Sequence, residues 1–190
     1  RWQDWLADIE GGLAVLNDCC ERVFVIGLSM GGLLALTAAA RYPMAGVISM
    51  SAPYQAIFSP AKRRWLAATL WLRPLQHKPQ EQKHPTLPER REKNYPAYPA
   101  YPPRILLELD ALIRAMQAGL PQVQAPALLI HSYQDAAIPV ASLEQIYARL
   151  GSPHKKKLLL EGFNHALVQD PKRQVVFDAI AAFIARTSQE

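Results

Sequence analysis

Ser29 lies in Gly27-Leu28-Ser29-Met30-Gly31, between an apolar, β-branched run at 22–28 and an alanine- and leucine-rich run at 33–41. A serine set between a strand and a helix must occupy a sharp, strained turn that lifts its hydroxyl above the carboxyl end of the strand. Glycines at 27 and 31 are expected to leave no Cβ to collide with the backbone in that turn. The Met30 amide, in the first turn of the helix, is placed to donate to a developing oxyanion with help from the helix dipole. The chemistry this supports is nucleophilic attack on an acyl carbon. The five-residue match is weak by itself, and the flanking strand and helix give it weight. Its plain alternative is a structural turn in a wound sheet.

A serine hydroxyl needs a base beside it at neutral pH, and the chain offers five histidines. In a parallel sheet, partners for Ser29 must stand at the carboxyl ends of the strands. His154 precedes its strand, and His77 and His84 fall in the middle of the chain. His131 ends a strand on the correct side, where packing within the sheet accounts for it. His165 follows the strand at 155–161 by the short loop Gly162-Phe163-Asn164, which suits a mobile imidazole. An ordinary polar loop residue is the alternative. The imidazole requires an orienting carboxylate. Asp135, in His131-Ser132-Tyr133-Gln134-Asp135, is favoured over Asp170, whose place before Pro171 is explained by capping. Cys19 and Cys20 precede their strand and read as buried or idle thiols. No His, Cys or Asp cluster has metal-ligand spacing, so neither metal nor organic cofactor is implied.

The elements that must position these groups alternate between two periods. Trp2, Trp5, Leu6, Ile9, Leu13 and Leu16 mark one face of a helix. Strands follow at 22–28, 45–51, 126–131 and 155–161, and helices at 33–41, 140–150 and 171–186. Strand, helix and strand within about thirty residues make a βαβ unit with a right-handed crossover. The fold class is α/β with a parallel sheet. Residues 1–52 and 126–190 form its core. Residues 53–125 hold eleven of the sixteen prolines, including Tyr95-Pro96-Ala97-Tyr98-Pro99-Ala100-Tyr101-Pro102-Pro103, and read as an inserted helical cap with a stiff spacer. The Tyr-Pro run is alternatively a ligand for an SH3-like partner. In the cap, Trp65, Leu66, Trp71 and Leu72 suit an aliphatic chain, and packing is the competing role of each.

Composition narrows the field. The 190 residues are 50% apolar and 19% charged, with a mean hydropathy of −0.05, which describes a packed globule rather than a disordered chain. No apolar run reaches the ~18–20 residues that cross a bilayer, and the first residues are amphipathic rather than signal-like. The net charge of +5 is dispersed in short runs at 62–64, 90–91 and 155–157. Solvated faces are expected, not a nucleic-acid stripe. Two adjacent cysteines cannot frame a disulfide scaffold, which points to a reducing, cytoplasmic compartment. Oligomeric state is not legible.

The order Ser29, Asp135, His165 resembles that of α/β-hydrolases, and the chain looks like their carboxylesterase and monoacylglycerol lipase group. The matching segments are Gly27-Leu28-Ser29-Met30-Gly31-Gly32, Ile130-His131-Ser132-Tyr133-Gln134-Asp135, Gly162-Phe163-Asn164-His165 and the opening Trp2-Gln3-Asp4-Trp5. The resemblance implies an acyl-enzyme on Ser29, formed from carboxylic esters of short or medium chain or from monoacylglycerols, with the cap forming the acyl pocket. It also implies about eight strands and an early His-Gly loop that gives a second oxyanion amide. Four strands are read here, so the chain is expected to be the carboxyl-terminal two-thirds of such a fold, with the nucleophile strand at an open edge. Poor solubility and weak turnover follow. A lysophospholipid, thioester or amide substrate fits the same three residues, and a noncatalytic binding protein is the rival of another class.

Overall fold

The structure, a computed structural model, describes residues 1–70, 75–77 and 100–189. Two compact units emerge: Arg1–Ala56 with Ala111–Glu190, and Ile57–Asp110.

The larger unit is built on helix α1 (Trp2–Asn17), strand β1 (Phe24–Leu28), helix α2 (Met30–Ala39) and strand β2 (Gly46–Met50). The smaller holds helix α3 (Pro60–Thr69) and the short antiparallel pair β3 (Gln76–His77) and β4 (Ala100–Tyr101). Helix α4 (Arg104–Gly119) runs from one unit into the other. Strand β5 (Ala127–Ser132), helix α5 (Ala141–Arg149), strand β6 (Lys155–Leu160) and helix α6 (Gln174–Thr187) complete the larger unit. The smaller unit is narrower than the 53–125 read from composition. Leu112, Ile113 and Met116 of α4, with Leu120 and Val123 beyond it, are wholly buried, and all five lie in the larger unit.

The four long strands form one parallel sheet in the order β1-β2-β5-β6. Parallel strands covered on both faces read as near-continuous apolar runs, and β2 (GVISM) and β5 (ALLIHS) are buried at every position. On one face Ile48, Met50, Leu128 and Ile130 pack with Phe163, Leu167 and, from α6, Val176 and Phe183. On the other, the Ser49 hydroxyl donates to the Gly32 carbonyl of α2 at 3.2 Å. Helix α2 is buried from Gly32 to Ala39, and its one buried hydroxyl, Thr37, donates to the Leu33 carbonyl at 2.7 Å.

Helix α6 begins at Gln174, three residues after the expected start. Asp170 does not cap it. Its Oδ1 accepts from the Lys172 amide at 2.9 Å, two residues on, which makes a local turn before the helix. Among the described residues β1 pairs with β2 alone and is, with β6, one of the sheet's two edge strands; Ile26 is 45% exposed. No described helix is long and apolar enough to cross a membrane. Several lysines of the basic runs are engaged locally: Lys157 pairs with Glu144 and Lys155 Nζ donates to the Tyr147 and Leu150 carbonyls. Arg90 and Arg91 lie outside the described residues.

Candidate active site

Because all four strands run the same way, the segments leaving β1, β2, β5 and β6 emerge on one rim. The backbone ladder continues one step beyond the strands there. The Ser29 amide donates to the Met50 carbonyl at 2.8 Å, that of Ser51 to Ile130 at 2.9 Å, and that of Tyr133 to Leu160 at 3.0 Å. Ser29 is therefore fastened to the end of β2 before α2 begins.

Its backbone is strained, as the turn demands: φ is 57° and ψ −116°, a conformation that costs about 1–3 kcal/mol for a residue with a Cβ. The glycines divide the work differently from the sequence expectation. A Cβ on Gly27 would overlap the Gly31 carbonyl, and one on Gly32 would press on the Ser49 hydroxyl at 2.7 Å and on Ala52. A Cβ on Gly31 would meet nothing within 4 Å. Gly31 matters through its backbone, which lies where a Gly27 side chain would go. Met30 opens α2, whose first hydrogen bond runs from the Leu33 amide to the Ser29 carbonyl. The Met30 amide thus belongs to a first turn with no intrahelical acceptor.

The rim brings Ser29, His165 and Asp135 together. His165 Nε2 stands 2.9 Å from Ser29 Oγ, and Nδ1 stands 2.9 Å from Asp135 Oδ2 and 3.1 Å from Oδ1. A carboxylate only accepts, so the ring carries its proton on Nδ1 and turns the Nε2 lone pair to the serine hydroxyl. The Asp135 carboxylate is fully buried, whereas the His165 side chain keeps 22% exposure. Burial pushes the Asp135 carboxyl up. The hydrogen bond from His165 and those from the Ile138 and Ala137 amides outweigh it and hold the group below the usual carboxylate range. Both amides donate to Oδ1 at 2.9 Å.

Side chains given no role in the sequence reading tie the two loops together. Ser132 Oγ, fully buried, donates to the Phe163 carbonyl at 2.6 Å, and the Gly162 amide donates to Gln134 Oε1 at 2.6 Å. Asn164 Oδ1 accepts from the His165 amide at 2.7 Å and from the Ala136 amide at 3.4 Å. Serine, asparagine and glutamine after a strand are a generic turn signal, and nothing in their order marks which loop they will reach.

None of the other candidate histidines hydrogen-bonds to Ser29 among the described residues. His131 is buried and its Nε2 stands 3.0 Å from the Ile138 carbonyl. His154 is exposed at the opposite end of its strand, and His84 lies outside the described residues. Trp65 is 64% exposed on α3 and Leu66 is half-buried, while Trp71 and Leu72 lie outside the described residues. Cys19 and Cys20 are exposed rather than buried, and both are free. Among the described residues, no group of three or more His, Cys, Asp or Glu side chains stands where it could hold a metal ion.

The sequence model of the serine aminopeptidase S33 family matches residues 1–172. The chain belongs to that family. Within the α/β-hydrolase fold, its similarity extends to a thermostable monoacylglycerol lipase of Bacillus sp. (strain H-257). That relative is 28% identical over 187 residues, which cover 97% of this chain and 71% of the lipase. A carboxylesterase of Bacillus subtilis (strain 168) is 23% identical, with 97% of this chain and 72% of the esterase covered. Among solved structures, one from work on the metagenome-derived lipolytic enzymes LipS and LipT superposes with a TM-score of 0.77 at 28% identity. That match covers 97% of this chain and 74% of the other.

Proposed function

We propose that this S33-family chain is a serine hydrolase of carboxylic esters, with Ser29 as nucleophile, His165 as general base and acid, and Asp135 as the group that orients His165. The observation that carries the reading is the unbroken relay from Ser29 Oγ through both ring nitrogens of His165 to the buried Asp135, each step at 2.9 Å.

His165 Nε2 takes the Ser29 proton as Oγ bonds to the ester carbon. The imidazolium so formed donates both its protons, and the adjacent carboxylate stabilises its charge without taking the Nδ1 proton. The Met30 N–H receives the oxyanion. As the tetrahedral intermediate collapses, His165 gives its proton to the departing alcohol, leaving the acyl group on Ser29. Water then repeats the sequence, with His165 again as base. No cofactor is drawn into any step.

Substrates are small ester or lipid molecules, short- or medium-chain acyl esters or monoacylglycerols, as the names of the relatives encourage. The smaller unit, Ile57–Asp110, acts as the cap that selects the acyl chain, with Trp65 and Leu66 among its contacts. The two free, exposed thiols favour the cytoplasm.

A fluorophosphonate should label the chain at Ser29, and Ser29→Ala should abolish both labelling and hydrolysis of p-nitrophenyl esters. A folded chain that takes no label would favour a noncatalytic binding role. The family takes its name from a peptidase, so aminoacyl amides belong beside the esters; amide turnover exceeding ester turnover would overturn the substrate class while keeping the three residues.

A further inference from the structure

We propose that His131 is a positioning residue for Asp135, pinning the turn after β5 so that the carboxylate faces His165. The proposal rests on the assignment of Ser29, His165 and Asp135 above.

His131 is the penultimate residue of β5 and only 1% exposed. Its Nε2 stands 3.0 Å from the Ile138 carbonyl and 3.4 Å from Asp135 Oδ2. A carbonyl oxygen accepts and never donates, so Nε2 carries the ring proton. One N–H therefore faces two oxygens of the same turn. That turn gives its amides back to the carboxylate, Ala137 and Ile138 both donating to Asp135 Oδ1 at 2.9 Å. The contacts close a ring: His131 holds the carbonyl of Ile138, whose own amide holds Asp135, whose other oxygen lies beside His131 and His165.

The Asp135 side chain is fully buried, so its orientation is set by these protein donors. Removing the His131 N–H frees the Ile138 carbonyl, and the turn is then able to rotate Asp135 away from Nδ1 of His165. A misplacement of about 1 Å in such a relay costs up to about 100-fold in rate. His131 takes no proton from Ser29, since His165 already stands there.

Two substitutions separate this role from simple packing. In His131→Gln the amide nitrogen reaches the place of Nε2 and restores a donor; in His131→Asn it stops short, nearer the place of Nδ1. His131→Asn should lower kcat for a p-nitrophenyl ester by about 10- to 100-fold with KM unchanged, and His131→Gln should recover most of that loss. The low-field proton NMR resonance of the His165 Nδ1–H should be present in the parent and in His131→Gln, and lost or moved upfield in His131→Asn. Parental kcat and an unmoved resonance in His131→Asn would overturn the proposal. So would equal impairment of both variants with the resonance unchanged. Should His131→Asn fail to fold, His131→Met, of similar reach and without a donor, replaces it against His131→Gln. A folded parent that neither hydrolyses esters nor takes a fluorophosphonate would defeat the hydrolase assignment instead, and the resonance would still decide His131.

Discussion

Asp135 is the residue at which burial and hydrogen bonding compete most openly. Burial opposes its charge, and three donors more than compensate. A carboxyl held low in the folded state stabilises the fold above its unfolded value of 3.8, and that contribution is lost as pH falls through the lower, folded value. Asp135→Asn should therefore be less stable than the parent near neutrality, with melting temperatures that converge in acid. Divergence on acidification would contradict this. The same variant should lose on the order of 10⁴-fold in kcat, because an amide leaves His165 in the wrong tautomer. Glycine gives a second residue-level expectation. Gly27→Ala should cost about 1–3 kcal/mol or more, since the clash is with backbone that cannot turn aside. Gly31→Ala should leave the melting temperature level or raise it, because its Cβ would point into open space. Equal losses in the two would refute the division of roles.

At the scale of elements, backbone hydrogen bonds to the neighbouring strand hold the chain at Ser29 itself and two residues before Asp135. The Ser29-to-Met50 and Tyr133-to-Leu160 bonds do this for two of the loops. The Ser132, Gln134 and Asn164 side chains then join the loop after β5 to the loop after β6. Strand β1, with Ser29 at its end, pairs on one side only among the described residues and exposes Ile26. An unpaired apolar edge is a template for another chain. Ile26→Lys should reduce self-association in light scattering while leaving far-UV circular dichroism intact. Unchanged association would show that the edge is not the contact.

At the scale of the molecule, the chain forms two compact units. The larger holds the parallel sheet that brings Ser29, His165 and Asp135 together. In the smaller, the carboxylate of Asp110 is fully buried and accepts from the Ile57 and Phe58 amides at 2.8 and 3.3 Å, yet α3 has no buried residue at all. A helix so exposed contributes little to stability by itself. Trp65→Ala should leave the melting temperature within about 0.5 kcal/mol equivalent while raising KM increasingly as the acyl chain of the ester lengthens. A KM that does not vary with chain length would remove Trp65 from substrate selection.

Sequence alone was enough to place the four parallel strands, though not the short pair β3 and β4, because β2 and β5, buried on both faces, are near-continuous apolar runs and helices keep a period near 3.6. It was enough to choose His165 over His154, because parallel strands put every carboxyl end on one rim. It missed the exposure of Cys19 and Cys20, the idle space beside Gly31 and the late start of α6. It also gave His131 no more than a place in the packing. These depend on which atoms of distant segments end up within about 3 Å of one another, and a hydrogen bond between residues 132 and 163 leaves no periodic trace along the chain. The residue types limited the chemistry; only the folded backbone set the distances that bring a hydroxyl, an imidazole and a carboxylate within hydrogen-bonding reach.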